Sequence, residues 1–413
     1  MTIKRIRLVN SSVSAVLDPR IWFLALGTFA IGTDVFVISG ILPEVATNLH
    51  VNLNAAGQIV TAYALTYALV APIVVPFTAA YRQTRIVIGT LVTFAIANML
   101  CATTPSYAVL IAARIVAGIV AALYTSTAYS LAASLAPSAR KGAALSAVAL
   151  GFTGSAVFGV PIGTAIGDIL GWRMTFWLVT SVSALSAIIL YLRPPKEPVK
   201  HAAPIGIAAR FAPLKDPTIL LAMLPSVFWN TANLMSYTYL GALLARHHEA
   251  HTVVFLFLAY GCGGLVGSQL GGRLVDRFGA IKPLIIFIFI AALNQAAMGL
   301  SLKTTITTAV ALAIWSITGW GTFAPQQARL IALAPSNSPL LIAINHSIIY
   351  FGTAAGAAIG GALLAHSLPL EKLHWVTAAM LAVAIGILGG SRRLSRFFGL
   401  TTAGKQTGGS KSH

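Results

Sequence analysis

FLALGTFAIGTDVFVISGILPEVA, residues 23–46, is an apolar run long enough to cross a bilayer, and it carries one carboxylate, Asp34, near its middle. A charge at the centre of a bilayer costs about 2.5–3.5 kcal/mol on insertion scales, so such residues are rare and face a bundle interior or a water-filled cavity. The chain has nine acidic residues, and the others fall in loops or at the ends of apolar runs. Asp34 is therefore expected to be the proton-handling group of a membrane transporter.

Composition supports the membrane reading. Hydrophobic residues make up 57% of the 413, charged residues 9%, and mean hydropathy is +0.84, whereas soluble domains are about one quarter charged. The net charge of +18 does not indicate nucleic acid as a partner, because the Lys and Arg residues recur in short loops between apolar runs instead of on one face. Cys101 and Cys262 both sit in apolar segments, with neither metal-ligand spacing nor a disulfide framework. The run after Arg20 is too long for a signal-peptide core and lacks a small-residue cleavage site, so it is expected to remain as a span.

Windows of about 20 apolar residues fall near 21–44, 55–80, 85–103, 106–133, 141–166, 173–192, 218–245, 252–275, 281–301, 305–333, 338–366 and 372–391. The expected fold is an all-α polytopic protein with twelve spans in two six-helix bundles, residues 21–192 and 218–391. Residues 1–20 form an N-terminal segment, 193–217 a Pro-rich basic linker and 392–413 a basic tail. Lys and Arg crowd one set of loops (Arg82, Arg85, Arg140, Lys141, Arg273, Arg277, Lys282) and the linker and tail, while the other set holds only Arg173, Arg246, Lys303 and Lys372. Positive residues stay inside, which predicts both termini in the cytoplasm of a bacterial inner membrane.

The halves are repeats. DPRIWFLAL from Asp18 resembles DPTILLAML from Asp216, and LAPS from Leu135 recurs from Leu333, both at an offset of 198 residues. Parallel six-span repeats are one transporter architecture. Asp34 corresponds to Ala232, so the acid belongs to one half only.

Span directions alternate, which places Asp34 and Arg114 both roughly 12–14 Å below the outer surface at 1.5 Å per residue. They can face each other. A neighbouring guanidinium and burial act on a carboxyl in opposite senses, which suits a group that exchanges protons; a static pair fixing helix register is the plainer alternative. In GVPIGTAIGD, Gly159, Gly163 and Gly167 share a helix face with Pro161 between them. Such a stripe serves either simple helix packing or a pliable, leak-sealing contact between the halves. In GGRLVDRFG, Gly272 is read as permitting close approach of the next helix, Asp276 as capping a helix start, Arg277 with Lys282 as holding the loop at the anionic inner leaflet, and Gly279 as part of the same conformational motif. RHHEAH offers His247 and His251 at metal-binding spacing but no third ligand, so a solvated loop is expected and no metal. Candidate cavity residues are Phe36, Tyr124, Asn230, Asn233, Tyr237, Trp315 and Trp320, an apolar lining with a few orienting polar groups. His346 joins them, although an ordinary helix contact also suits it.

At GTDVFVISGILPEVA (Gly32 to Ala46), AGQIVTAYAL (Ala56 to Leu65), RIVAGIVAA (Arg114 to Ala122), GVPIG with GWRMTFW (Gly171 to Trp177) and GGRLVDRFG, the chain resembles the major facilitator superfamily. Within it, the likeness is to the twelve-span drug:proton antiporters, which include bacterial chloramphenicol, sugar and purine-nucleoside exporters. The resemblance implies that Arg114 takes part in proton transfer and that the Gly-Pro motif marks an antiporter. Relatives usually carry Glu where Asp34 stands, and the loop at Pro76 to Arg85 has Ala79 in place of the acid matching Asp276.

The expectation is an antiporter, not an enzyme, that exports small drug-like organic compounds such as amphenicols. The proton gradient is its energy source, no cofactor is implied, and a monomer in the lipid bilayer is the default. A nucleoside or sugar exporter, a proton-coupled importer and a membrane sensor without transport are the alternatives.

Overall fold

A computed structural model describes residues 17–78, 81–137, 140–195, 216–333 and 338–397. Most of the N-terminal segment, the linker and the tail expected from the sequence lie outside the described residues.

The described chain is helical, and twelve stretches are long and apolar enough to cross a membrane. Spans 1–4 are Arg20–Asn48, Leu53–Thr78, Gln83–Thr103 and Tyr107–Leu135. Span 5 comprises Lys141–Gly154, a π-turn at Ser155–Gly159, and Val160–Leu170; span 6 is Trp172–Leu192. Span 7 comprises Pro217–Thr238 and Leu240–Leu244, and spans 8 and 9 are Ala250–Phe278 and Ile281–Ser301. Span 10 comprises Thr305–Gly321 and Phe323–Leu333; spans 11 and 12 are Ser338–Ala365 and Leu373–Phe397, the last entered through a 3₁₀ turn at Leu370–Lys372. The expected windows all fall on these helices.

The breaks in spans 5, 7 and 10 were not expected. In span 5 the break has a local cause. Pro161 lacks an N–H and sits in the first turn of Val160–Leu170, so the wide π-turn before it supplies the place where the missing bond does least harm.

One apolar cluster fills the N-terminal bundle around Leu24, Ile31, Phe94 and Tyr124, and smaller ones fill the C-terminal bundle around Trp229 and Leu330. A further cluster, from Ile38 and Leu42 to Leu240, Leu256 and Trp315, runs across both halves at the end opposite the basic loops. There the halves are bonded together. Ser39 Oγ donates to Tyr237 O, Gly241 N donates to Ser39 Oγ at 3.4 Å, and Tyr237 Oη donates to Phe36 O at 3.2 Å. A Cβ on Gly241 would run into the Ser39 carbonyl, so only glycine fits. Large apolar side chains such as Ile96, Ile188, Phe289 and Leu293 are exposed on the flanks, the arrangement a lipid surround favours.

Of the two readings of the glycine stripe in span 5, the geometry accords with helix packing. Side chains added at Gly159, Gly163 and Gly167 would meet Thr33, Val37 and Ile41 of span 1, all within the same half. The repeat does likewise, with Gly352 and Gly356 against Asn230, Thr231 and Met235 of span 7. Span 5 meets the other half at Gly261 of span 8, which lies against the backbone of Ala156 and Val157 in the π-turn. Two readings are corrected in GGRLVDRFG. Gly271, not Gly272, allows the close approach, against the Gly321 backbone. Asp276 lies in the last turn of span 8 and does not cap span 9: Ala280 precedes that helix and no side chain caps it. Arg277 lies over the Phe278 ring at 5.3 Å, and Gly279 has φ 73°, a conformation that favours glycine.

Candidate transport site

Asp34 and Arg114 meet inside the N-terminal bundle. Arg114 Nη1 is 2.6 Å from one Asp34 carboxylate oxygen and 2.7 Å from the other, and the side chains are 1% and 0% exposed. Among the described residues Asp34 is the only buried carboxylate. Arg114 also has partners that do not depend on Asp34. Its Nε donates to Ile59 O at 3.4 Å, and its guanidinium lies 4.4 Å from the Tyr63 ring centroid and 5.9 Å from that of Phe176. A cation over an aromatic face is stabilised when water is excluded. The guanidinium thus has one hydrogen bond and two ring faces besides Asp34.

One face of span 1 over, a cluster of rings joins the two halves. Phe36 contacts Phe152 of span 5 at 5.5 Å, Tyr237 of span 7 at 5.8 Å and Trp320 of span 10 at 6.0 Å. Tyr260 of span 8 lies 5.1 Å from Tyr237 and 5.5 Å from Trp315, and Phe323 stacks on Trp320 at 5.4 Å. Trp315 Nε1 donates to Asn233 Oδ1 at 2.6 Å, placing one amide against the cluster. A small cavity beside it is lined by Val35, Phe36, Ser39, Val60, Tyr237 and Thr353 from both halves. Phe36, Asn233, Tyr237, Trp315 and Trp320 are therefore brought together as expected.

Three expected cavity residues take no part in the ring cluster. Tyr124 is buried between spans 1 and 4, its Oη donating to Leu24 O at 2.8 Å and resting on Gly27, a site only a glycine leaves open. Asn230 donates to Ser226 O at 2.8 Å and packs its Cβ on Gly352, a helix contact inside the C-terminal half. His346 is exposed on span 11, apart from the rings. At the exposed start of span 8, His251 in its first turn lies 3.5 Å from Glu249, the residue before that helix. His248 faces Thr308 Oγ1 at 3.0 Å, and partial burial, then His247, push its ring toward the neutral form.

Phe152, Tyr260, Phe323 and Tyr63 do not stand out in the sequence, because an aromatic within an apolar span carries no mark of which way it faces. The i,i+4 spacing of Tyr63 and Tyr67 was the available signal.

Residues 24–337 match the Major Facilitator Superfamily. The chain is 30% identical over 368 residues to the uncharacterized MFS-type transporter YbcL of Bacillus subtilis, covering 89% of this chain and 94% of that one. It is also 30% identical over 390 residues to a chloramphenicol resistance protein of Streptomyces lividans, covering 88% and 94%. A bacterial homolog of the human lysosomal transporter Spinster, solved inward-facing and unoccupied, shares the fold with a TM-score of 0.74 at 17% identity, over 91% of this chain and 96% of that one. Twelve spans in two bonded six-helix halves, and a family match over most of the length, place this multi-pass membrane protein among transporters: the chain belongs to the Major Facilitator Superfamily.

Proposed function

We propose that the chain is a proton-coupled antiporter that exports small, flat organic compounds of the amphenicol kind across a bacterial inner membrane, with the basic end and both termini in the cytoplasm. The observation that carries this reading is the buried Asp34–Arg114 pair standing next to a ring cluster shared by both halves. Protonation of Asp34 from the outer side breaks the pair, Arg114 falls back on Tyr63 and Ile59 O, and span 1 is released from its grip on span 4. Span 1 carries Phe36 and Ser39, which hold the other half, so the charge state of Asp34 acts on the interface that must open.

The energy is adequate. Losing one partner of a buried pair costs about 3–5 kcal/mol. A charge moved through 100 mV supplies about 2.3 kcal/mol, and each pH unit about 1.4 kcal/mol.

The rings favour a flat solute by stacking, and the Asn233 amide, bonded to Trp315 Nε1 and to Trp229 O, fixes the Trp315 ring in place. Because Arg114 offsets the charge of Asp34, the site has no spare anion to recruit a cation, which favours neutral amphenicols and nucleosides over lipophilic cations. Similarity to a probable sugar efflux transporter supports the direction, export. A monomer suffices, since the site is formed within one chain, and the proton gradient takes the place of a cofactor. Uptake of labelled chloramphenicol and adenosine into inverted vesicles tests the reading: accumulation of one of them that a protonophore collapses is expected, and equal uptake in vesicles lacking the protein would sink it.

A further inference from the structure

Below the ion pair, toward the basic end, stands a file of buried tyrosines that takes no part in the contacts of the ring cluster. Tyr63, Tyr67 and Tyr350 are 1%, 4% and 6% exposed. Tyr63 lies against the Arg114 guanidinium, and its Oη is buried without a hydrogen-bond partner among the described residues. Tyr67 follows one turn on, on the same face of span 2. Its ring stacks on Tyr350 of span 11 with centroids 3.5 Å apart and planes at 17°, and Thr125 and Tyr129 of span 4 adjoin it. One turn further along span 11 stands His346, exposed. At about 100° per residue, His346 lies roughly 140° around the helix from Phe351 and from Ile359, both exposed on the flank. His346 therefore faces away from the lipid side. Phenylalanine would stack equally well at 67 and 350 and would not strip a hydroxyl of water, so packing alone does not account for the phenols.

We propose that Tyr63, Tyr67 and Tyr350, ending at His346, form the route by which the proton of Asp34 leaves toward the basic end. The inference rests on the reading of Asp34 as the proton carrier. At each step a phenol oxygen takes up one proton as it gives up its own, so no tyrosine keeps a net charge. Asp34 is left as a carboxylate beside Arg114, and the His346 imidazole hands the proton to water.

The test needs no transported solute. Time-resolved infrared spectroscopy after an alkaline pH jump on the purified full-length protein follows the carboxylic C=O band of Asp34, assigned by its loss in Asp34→Asn. The Tyr67→Phe/Tyr350→Phe double variant keeps the stack and removes both hydroxyls; it is expected to deprotonate at least about 100-fold more slowly, the low end for a positioned proton-transfer group, with an unchanged titration midpoint. His346→Ala is expected to slow similarly and to recover when imidazole is added, which a structural defect would not do. If the wild type shows no such band at any pH, the carrier reading fails and this inference falls with it. If the band is present and both variants relax at the wild-type rate, the carrier reading stands and the route is wrong.

Discussion

Arg114 grips both carboxylate oxygens of Asp34 through a single nitrogen, Nη1, while its Nε reaches the Ile59 carbonyl of span 2. The pair therefore joins three helices of one half at a point where neither charge touches water. Asp34→Leu should strand the guanidinium and destabilise the protein by about 3 kcal/mol, the low end for a broken buried pair, because Tyr63 still covers the cation. Adding Arg114→Met should restore at least half of that. Unfolding in mixed micelles checks the cycle; a double variant as unstable as the sum of the singles would show that the two residues are not coupled.

Phe36 touches rings from spans 5, 7 and 10. Phe36→Ala should weaken chloramphenicol binding about ten-fold, since each aromatic pair is worth about 0.5–1.5 kcal/mol beyond buried area. Tyr124→Phe should leave binding unchanged and cost about 1 kcal/mol of stability through its lost bond to Leu24 O. Quenching of tryptophan fluorescence, with Trp315 and Trp320 at the site, reads the affinity; equal effects of the two substitutions would contradict the placement of Tyr124.

Gly163 and Gly261 should behave differently. Gly163→Val forces spans 1 and 5 apart inside one bundle and should lower stability by about 1–3 kcal/mol. Gly261→Val meets the π-turn backbone across the interface, so transport should fall while the thermal stability of each half is kept. Paired Tm and vesicle-uptake measurements decide this, and a large Tm loss in Gly261→Val would move its contact into the bundle core.

Ser39→Ala removes the bond to Tyr237 O between the halves at the end away from the basic loops, and with it the longer one from Gly241 N at 3.4 Å. A net loss of about 0.5–1.5 kcal/mol should shift the population roughly two- to ten-fold toward a state open at that end. Spin labels at Thr47 and Ala245, both exposed there, should show a longer distance in the variant; an unchanged distribution would mean that this bond does not hold the closed state.

The sequence was most informative where membrane physics acts locally. Span lengths follow from bilayer thickness, and a lone acid in an apolar run stands out, so Asp34, and Arg114 at matching depth, were readable from residue type and spacing alone. Helix rotation was not. A membrane helix is apolar on every side, so nothing in VPIGTAIG says that its glycines face span 1 instead of the opposite half, and nothing marks Tyr124 as interior or Phe152 as facing the rings. The same ambiguity led from Gly271 to its neighbour Gly272. The π-turn at Ser155–Gly159 was hidden for another reason: Pro161 announces a lost hydrogen bond but not how the backbone absorbs it.

Proton coupling is read most plainly from the internal pH of proteoliposomes on addition of chloramphenicol, for wild type and Asp34→Asn side by side. A proton movement opposite to the solute is expected in the wild type and none in Asp34→Asn, whose side chain keeps the shape but never exchanges a proton. A proton movement of equal size in Asp34→Asn would contradict the role of Asp34 as the proton carrier.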